Sequence, residues 1–211
     1  MVRLAGSWDE SLQSHVTELN LRFLEVLAGA AAGAGGGLQS PVVLELKSEW
    51  RVLSARQMQM LARCPYLLLD AAFGVPEHWR ATMCGAVHEA APPGRNPVSA
   101  LGTELVRRTL VLAWHLARAN PLAARITLGM NAECTDLIAG RGLYELEAVA
   151  EARPAWVRPR WEGRLDIWRQ LLRAASADQA NRLRQLQLRG VQLLAGSLLV
   201  HVAGQSEHRS G

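Results

Sequence analysis

The chain has 211 residues, of which 49% are hydrophobic and 20% are charged, a composition typical of globular proteins and not of disordered ones. Its three cysteines (Cys64, Cys84 and Cys134) form no Cys-x-x-Cys pair, so no disulfide framework is predicted. The N-terminal residues lack the apolar core of a signal peptide, and no apolar run reaches the roughly 20 residues of a membrane span. We therefore expect a soluble, cytoplasmic protein.

The first half of the chain alternates helical patterns with glycine- and proline-rich breaks. Its predicted elements are helices over 9–28, 54–64 and 76–90, a flexible loop over 29–41 and an extended run over 65–73. Ser54 has the position of an N-cap. Three prolines and a glycine in 91–100 predict a linker that ends this half.

Helical patterns also dominate the second half. The predicted elements are helices over 104–121, 121–129, 132–140, 143–153, 163–176 and 178–203, an extended run over 154–162 and a flexible tail over 204–211. The stretch "TLGMNAECTDLIAG" (127–140) predicts a tight structural turn. In it, Gly129 suits a left-handed helix end, Asn131 suits an N-cap, and Glu133 is favourable near the start of a helix.

The two halves present similar features in the same order. Leu61-Ala62 matches Val149-Ala150, and Phe73 matches Trp161, at an offset of 88, while Glu18 matches Glu104 at 86. This order predicts a diverged tandem duplication. The predicted fold is mainly α, a helical bundle of two related halves (a pseudo-dimer), each with a helix-turn-helix-like corner and a short extended segment. The predicted boundaries are a first repeat at 1–90, a linker at 91–100, a second repeat at 101–203 and the tail at 204–211.

A family pattern runs through "LAWHLARANPLAARITLGMNAECTDLIAGRGLYELEAVAE" (112–151) and "RPRWE" (158–162). The matching positions are Ala124, Leu128, Gly129, Asn131, Glu133, Ala139, Leu143, Val149-Ala150 and Arg160-Trp161-Glu162. On these residues the second half resembles the FlhD subunit of the proteobacterial flagellar master transcriptional regulator. The first half matches more weakly, and "VVLELKSEWRVL" replaces its Leu-Gly-x-Asn-x-Glu segment.

The resemblance implies an all-α subunit that pairs as an intertwined homodimer. It also implies a second, zinc-binding FlhC-like subunit, with which the dimer binds promoters and activates transcription. Two copies in one chain then suggest a covalent pseudo-dimer. The family's cysteine at the dimer seam corresponds here to Leu69 and Val157, so an equivalent disulfide is not expected. No cofactor is expected.

Positive charge concentrates in residues 153–190, where nine arginines face three carboxylates (Glu162, Asp166 and Asp178). The arginines are Arg153, Arg158, Arg160, Arg164, Arg169, Arg173, Arg182, Arg184 and Arg189. Such a segment can bind phosphate or an acidic partner, or it can be a solvated helix face. Trp156, Trp161 and Trp168 can likewise stack on bases, dock a partner or pack in the core.

The corner at 127–140 is not expected to read DNA bases directly. The helix that follows it carries Glu145, Glu147 and Glu151, whose charges phosphates would repel. His78, Cys84 and His88 lack the paired spacing of a zinc site, so no metal is expected. No phosphate-binding loop, nucleophile elbow or carboxylate pair points to an enzyme.

Two functions follow from these observations. The first is a subunit of a transcriptional regulator that acts with a partner and contacts DNA or that partner through 153–190. The second is a protein–protein interaction module, or anti-regulator, that makes no contact with DNA.

Overall fold

The computed structural model describes residues 2–33, 40–85, 97–153 and 156–207, and the fold is mainly helical, as predicted. The first half forms α1 (Val2–Ala31), α2 (Pro41–Leu44), α3 (Lys47–Arg51), α4 (Ala55–Ala62), β1 (Leu69–Asp70) and α5 (Pro76–Gly85). The second half forms α6 (Pro97–Ala119), α7 (Pro121–Leu128), α8 (Ala132–Ala139), α9 (Leu143–Ala152), β2 (Arg158–Pro159), α10 (Leu165–Ser176) and α11 (Ala180–Glu207).

Short polar side chains begin several of these helices. Ser54 accepts a hydrogen bond from the amide of Gln57, and the Gln57 side chain accepts one from the amide of Ser54, which completes a capping box at α4. Asn120 caps α7 by accepting from the amide of Ala123 at 3.0 Å, and Pro121 follows as its first residue. Local sequence thus sets where these helices begin.

Among the described residues, the same six elements follow one another in each half: four helices, a two-residue strand and a fifth helix. The two strands pair antiparallel, and Asp70 lies opposite Arg158, which is 88 residues further along the chain. That separation equals the offset of the sequence repeat. Two equivalent segments that run antiparallel through equivalent residues are related by a local two-fold axis, which passes through this strand pair.

The fifth helix of each half packs on the other half. Helix α5 contacts α8 and α9, and α10 contacts α2, α3 and α4. Aromatic pairs accompany both exchanges: Trp79 of α5 lies 4.7 Å from Trp156, and Trp168 of α10 lies 6.0 Å from Trp50, measured between ring centroids. One core cluster therefore contains buried residues from both halves, and the two predicted repeats do not pack as separate units.

The predicted boundaries shift at several places. Helix α6 begins at Pro97, so residues 97–100 of the predicted linker are helical. Helix α11 continues to Glu207, four residues into the predicted tail. The predicted loop at 29–41 is shorter, because α1 continues to Ala31 and α2 begins at Pro41. Residues 34–39 of that loop, 86–96 and 208–211 lie outside the described residues. The two extended runs each reduce to a two-residue strand.

Across the described part of the chain, each helix is too short or too polar to cross a membrane.

Candidate partner and nucleic-acid surface

Arg160, one of the predicted surface arginines, is buried, and its residue is only 5% exposed. Its Nε donates to the Leu67 carbonyl at 2.6 Å, and its Nη2 donates to the carbonyls of Leu69 and Leu128 at 2.9 and 2.7 Å. Burial lowers the pKa of the guanidinium, and the Asp70 carboxylate, 3.9 Å away, opposes that shift. Arg160 therefore joins backbone of both halves and is not accessible to DNA or a partner.

The predicted turn receives this arginine. Gly129 has a φ of 68°, which a side chain rarely tolerates. A Cβ atom there would lie 2.5 Å from Nη1 of Arg160 and 3.0 Å from Leu194. Glycine is therefore required at this position for two reasons, the backbone angle and the close approach of Arg160.

The rest of the turn ties the second half to the first. The Asn131 side chain accepts from the amide of Cys134 at 2.7 Å, which caps α8. The Asn131 amide and side chain donate to the carbonyls of Phe73 and Gly74. Glu133 forms an ion pair with Arg80 of α5. These contacts make the turn a structural corner between the halves.

The predicted docking tryptophans belong to the core or its edge. Trp168 is fully buried, and its indole donates to the carbonyl of Arg160 at 2.7 Å, so its proposed role in docking is corrected. Trp156 and Trp161 are half-buried and pack on rings of the first half, Trp161 with its centroid 5.5 Å from that of Tyr66. The apolar part of each side chain is largely occupied within the chain.

Four of the remaining arginines have carboxylate partners. Arg169 and Arg173 lie 3.7 and 3.5 Å from Glu49 of α3. A hydrogen bond from Ser48 lowers the pKa of Glu49, and the two arginines lower it further. Arg169 and Arg173 therefore attach α10 to the first half. The other two pairs are local: Arg158 with Glu162 at 3.7 Å and Arg164 with Asp166 at 3.3 Å.

Arg153, Arg182, Arg184 and Arg189 are exposed and have no ion pair with a described residue. The last three lie on α11. Arg182, Leu186, Arg189 and Leu193 follow one another at i, i+4, i+7 and i+11, which places them along one face of the helix. Arg184 lies on the opposite flank. Three of the four arginines of 153–190 that are exposed and have no ion pair with a described residue thus lie on α11.

A groove of about 300 Å³ separates α10 from α11. Arg164, Ile167, Gln170, Leu186, Arg189 and Leu193 are among the residues that line it. The two arginines of this groove were among the predicted site residues, whereas its apolar residues and its glutamines were not. The i, i+4, i+7, i+11 spacing of Arg182, Leu186, Arg189 and Leu193 was the available signal.

A second groove of about 660 Å³ lies between α1 and α6, with Leu19, Val111 and Leu116 in its lining. Its charged residues pair with one another: Arg108 contacts both Glu18 and Glu104, and Arg107 contacts Glu104. Sequence reasoning did not identify this groove, because it forms between helices that lie far apart in the chain.

Within α9, Glu145 has a structural role and Glu151 faces solvent. Glu145 accepts from the amide of Gly142 at 2.8 Å and lies 3.4 Å from Arg141, while Glu151 is exposed. His78 is exposed, and the side chains of Cys84 and His88 lie outside the described residues.

No family model matches the chain, and no curated protein or solved structure is significantly similar to it.

Proposed function

We propose that the chain is a subunit of a transcriptional regulator of the flagellar master-activator type, which acts with a second, zinc-binding FlhC-like subunit. One observation carries the proposal: the halves repeat the same elements about a local two-fold axis and exchange α5 and α10. An intertwined pair is what the resemblance to FlhD implies, here within a single chain.

The contact with DNA or the partner is assigned to the exposed arginines of α11. Arg182, Arg184 and Arg189 have no carboxylate partner among the described residues, so no ion pair within this part of the protein competes with a phosphate or an acidic partner. Arg153 and Arg158 are also exposed, and Arg158 lies 3.7 Å from Glu162. Arg160 is excluded, because its donors already bind three carbonyl groups.

Salt-titrated binding to a labelled random-sequence DNA duplex tests this assignment, for the chain alone and together with a zinc-binding FlhC-type subunit. Each phosphate contact contributes about 0.9 to the slope of log K against log salt concentration. Changing Arg182, Arg184 and Arg189 together to alanine is expected to lower that slope by about 2–3 if each contacts a phosphate.

Arg51, Arg56 and Arg63 provide the matched control, because they are also exposed, without a carboxylate partner among the described residues, and lie in the first half. Changing these three to alanine removes the same charge and is expected to leave the slope unchanged. Equal effects of the two triple variants on the slope would mean that DNA binding depends on the overall charge of the chain and not on the arginines of α11. Absence of DNA binding in both preparations at low salt would leave the interaction module without DNA contact as the function.

A further inference from the structure

We propose that the groove between α10 and α11 docks an acidic, amphipathic segment of a protein partner. This inference deepens the proposed function, on which it rests for the existence of a protein partner. It identifies the groove as the docking site and specifies the chemistry of the segment that occupies it.

The floor of the groove is apolar. Ile167 and Leu171 of α10 and Leu186 and Leu193 of α11 line it, and Leu193 is 41% exposed. Contact between such a surface and water is unfavourable, whereas apolar side chains of a partner would bury it and be removed from solvent themselves. A phosphate backbone has no apolar group that requires this floor, so a protein segment is the better fit.

The rim of the groove is positive and polar. Arg189 has no ion pair with a described residue, and Arg164 pairs with Asp166 at 3.3 Å with both side chains more than half exposed. Gln170 and Gln192 add amide groups to the lining. An excess of guanidinium over carboxylate selects an occupant with carboxylates, and arginine is common at protein interfaces because it binds carboxylates through two parallel hydrogen bonds.

The order of residues on α11 predicts the pattern of the occupant. Arg182, Leu186, Arg189 and Leu193 alternate cationic and apolar positions at helical spacing along the same face. A helix laid beside them would place glutamate or aspartate opposite the arginines and leucine opposite the leucines. The volume of about 300 Å³ is at the lower end of ligand pockets, which suits a few anchoring side chains.

The larger groove between α1 and α6 does not specify an occupant in this way. Its two arginines and two glutamates neutralise one another at one end. The paired charges there favour neither a positive nor a negative partner, whereas Arg189 of the smaller groove, which has no ion pair with a described residue, favours a negative one.

The test uses the full chain and a fluorescein-labelled synthetic helical peptide that repeats glutamate and leucine at i, i+4, i+7 and i+11. Fluorescence anisotropy measures its affinity. A second peptide, with lysine in place of each glutamate, is expected to bind at least about tenfold more weakly, because close charge pairs at interfaces contribute more than the free energy of a tenfold change.

Arg189→Glu is expected to weaken the binding of the acidic peptide by a similar factor. Arg56→Glu on α4 is the matched control, since it makes the same charge change at an exposed position outside the lining of the groove, and it should leave the affinity within about twofold. Leu193→Asp adds a test of the apolar floor and should also weaken binding.

Three results would overturn the docking proposal: no binding of the acidic peptide, equal losses in Arg189→Glu and Arg56→Glu, or equal binding of the lysine peptide. The random-sequence duplex, measured on the same variants, separates the two proposals. If Arg189→Glu abolishes duplex binding and leaves peptide binding unchanged, the groove is a nucleic-acid contact and the peptide proposal fails while the DNA function stands. If the acidic peptide binds as expected and no duplex binds, the DNA-binding function is wrong and the docking proposal stands.

Discussion

At the scale of single residues, Arg160 shows why a charged residue can belong to the core. Its guanidinium satisfies the carbonyls of Leu67 and Leu69 in the first half and of Leu128 in the second. Burial of a guanidinium is tolerated when its donors are used and a carboxylate is near. Asp70 supplies that carboxylate beside the strand pair. Arg160 thus joins the backbone at Leu67–Leu69 to the backbone at Leu128, beside the strand pair.

Arg160→Met should therefore destabilise the protein strongly. The side chain keeps its length but loses all three hydrogen bonds, which leaves buried carbonyl groups without a donor. We expect a decrease in the free energy of unfolding of about 3–5 kcal/mol, measured by urea denaturation followed by tryptophan fluorescence. Arg158→Met, an exposed position in β2, is the control and should change it by about 0.5 kcal/mol or less. Equal urea midpoints for the two variants would contradict the role assigned to Arg160.

At the scale of elements, local patterns identify the helices but not their partners. The N-cap at Ser54 and the left-handed end at Gly129 are visible in the sequence, because each depends on a few neighbouring residues. Apolar periodicity shows that α5 and α10 bury one face, yet it does not specify which elements cover that face. The exchange between halves is decided by contacts between residues far apart in the chain. Two-residue strands are too short to give a period at all.

Helix α11, which has no counterpart among the described residues of the first half, also packs through such a contact. Its Gly190 is buried against Tyr66, and a Cβ atom on Gly190 would lie 2.1 Å from the tyrosine hydroxyl. That hydroxyl has no hydrogen-bond partner among the described residues. Close approach of the helix backbone to the ring, and not conformational freedom, explains the glycine here.

Gly190→Ala is expected to displace either α11 or the Tyr66 ring, at a cost of about 1–3 kcal/mol in the free energy of unfolding. Gly196→Ala is the matched control: it lies on the same helix with open space around it, so it should stabilise the protein by about 0.5–1 kcal/mol through helix propensity. Thermal denaturation monitored by circular dichroism distinguishes the two signs. A stabilising Gly190→Ala would show that α11 does not pack on Tyr66 as described.

At the scale of the whole molecule, a contiguous arginine-rich segment is divided among different environments. Residues 153–190 look like one basic surface in the sequence. In the fold, Arg160 is buried, Arg169 and Arg173 bind Glu49 of the first half, and Arg182 and Arg189 remain exposed on α11. The candidate surface could thus be predicted as a region, but not which of its arginines are free to bind. Glu49, which binds Arg169 and Arg173, lies more than a hundred residues away in the chain, and Leu67 and Leu69, which bind Arg160, lie more than ninety residues away.

The exchange of α5 and α10 leads to a prediction for the divided chain. A fragment of residues 1–90 lacks α10, which covers α2, α3 and α4, and a fragment of residues 91–211 lacks α5, which covers α8 and α9. Each fragment alone would expose apolar surface that the intact chain buries, so neither should unfold cooperatively. Mixed or co-expressed, they should form a one-to-one complex by size-exclusion chromatography with light scattering. Arg160→Met in the second fragment should weaken that complex, because it removes hydrogen bonds to Leu67 and Leu69 across the junction. Cooperative unfolding of the first fragment by itself would mean that the halves are independent domains that merely touch.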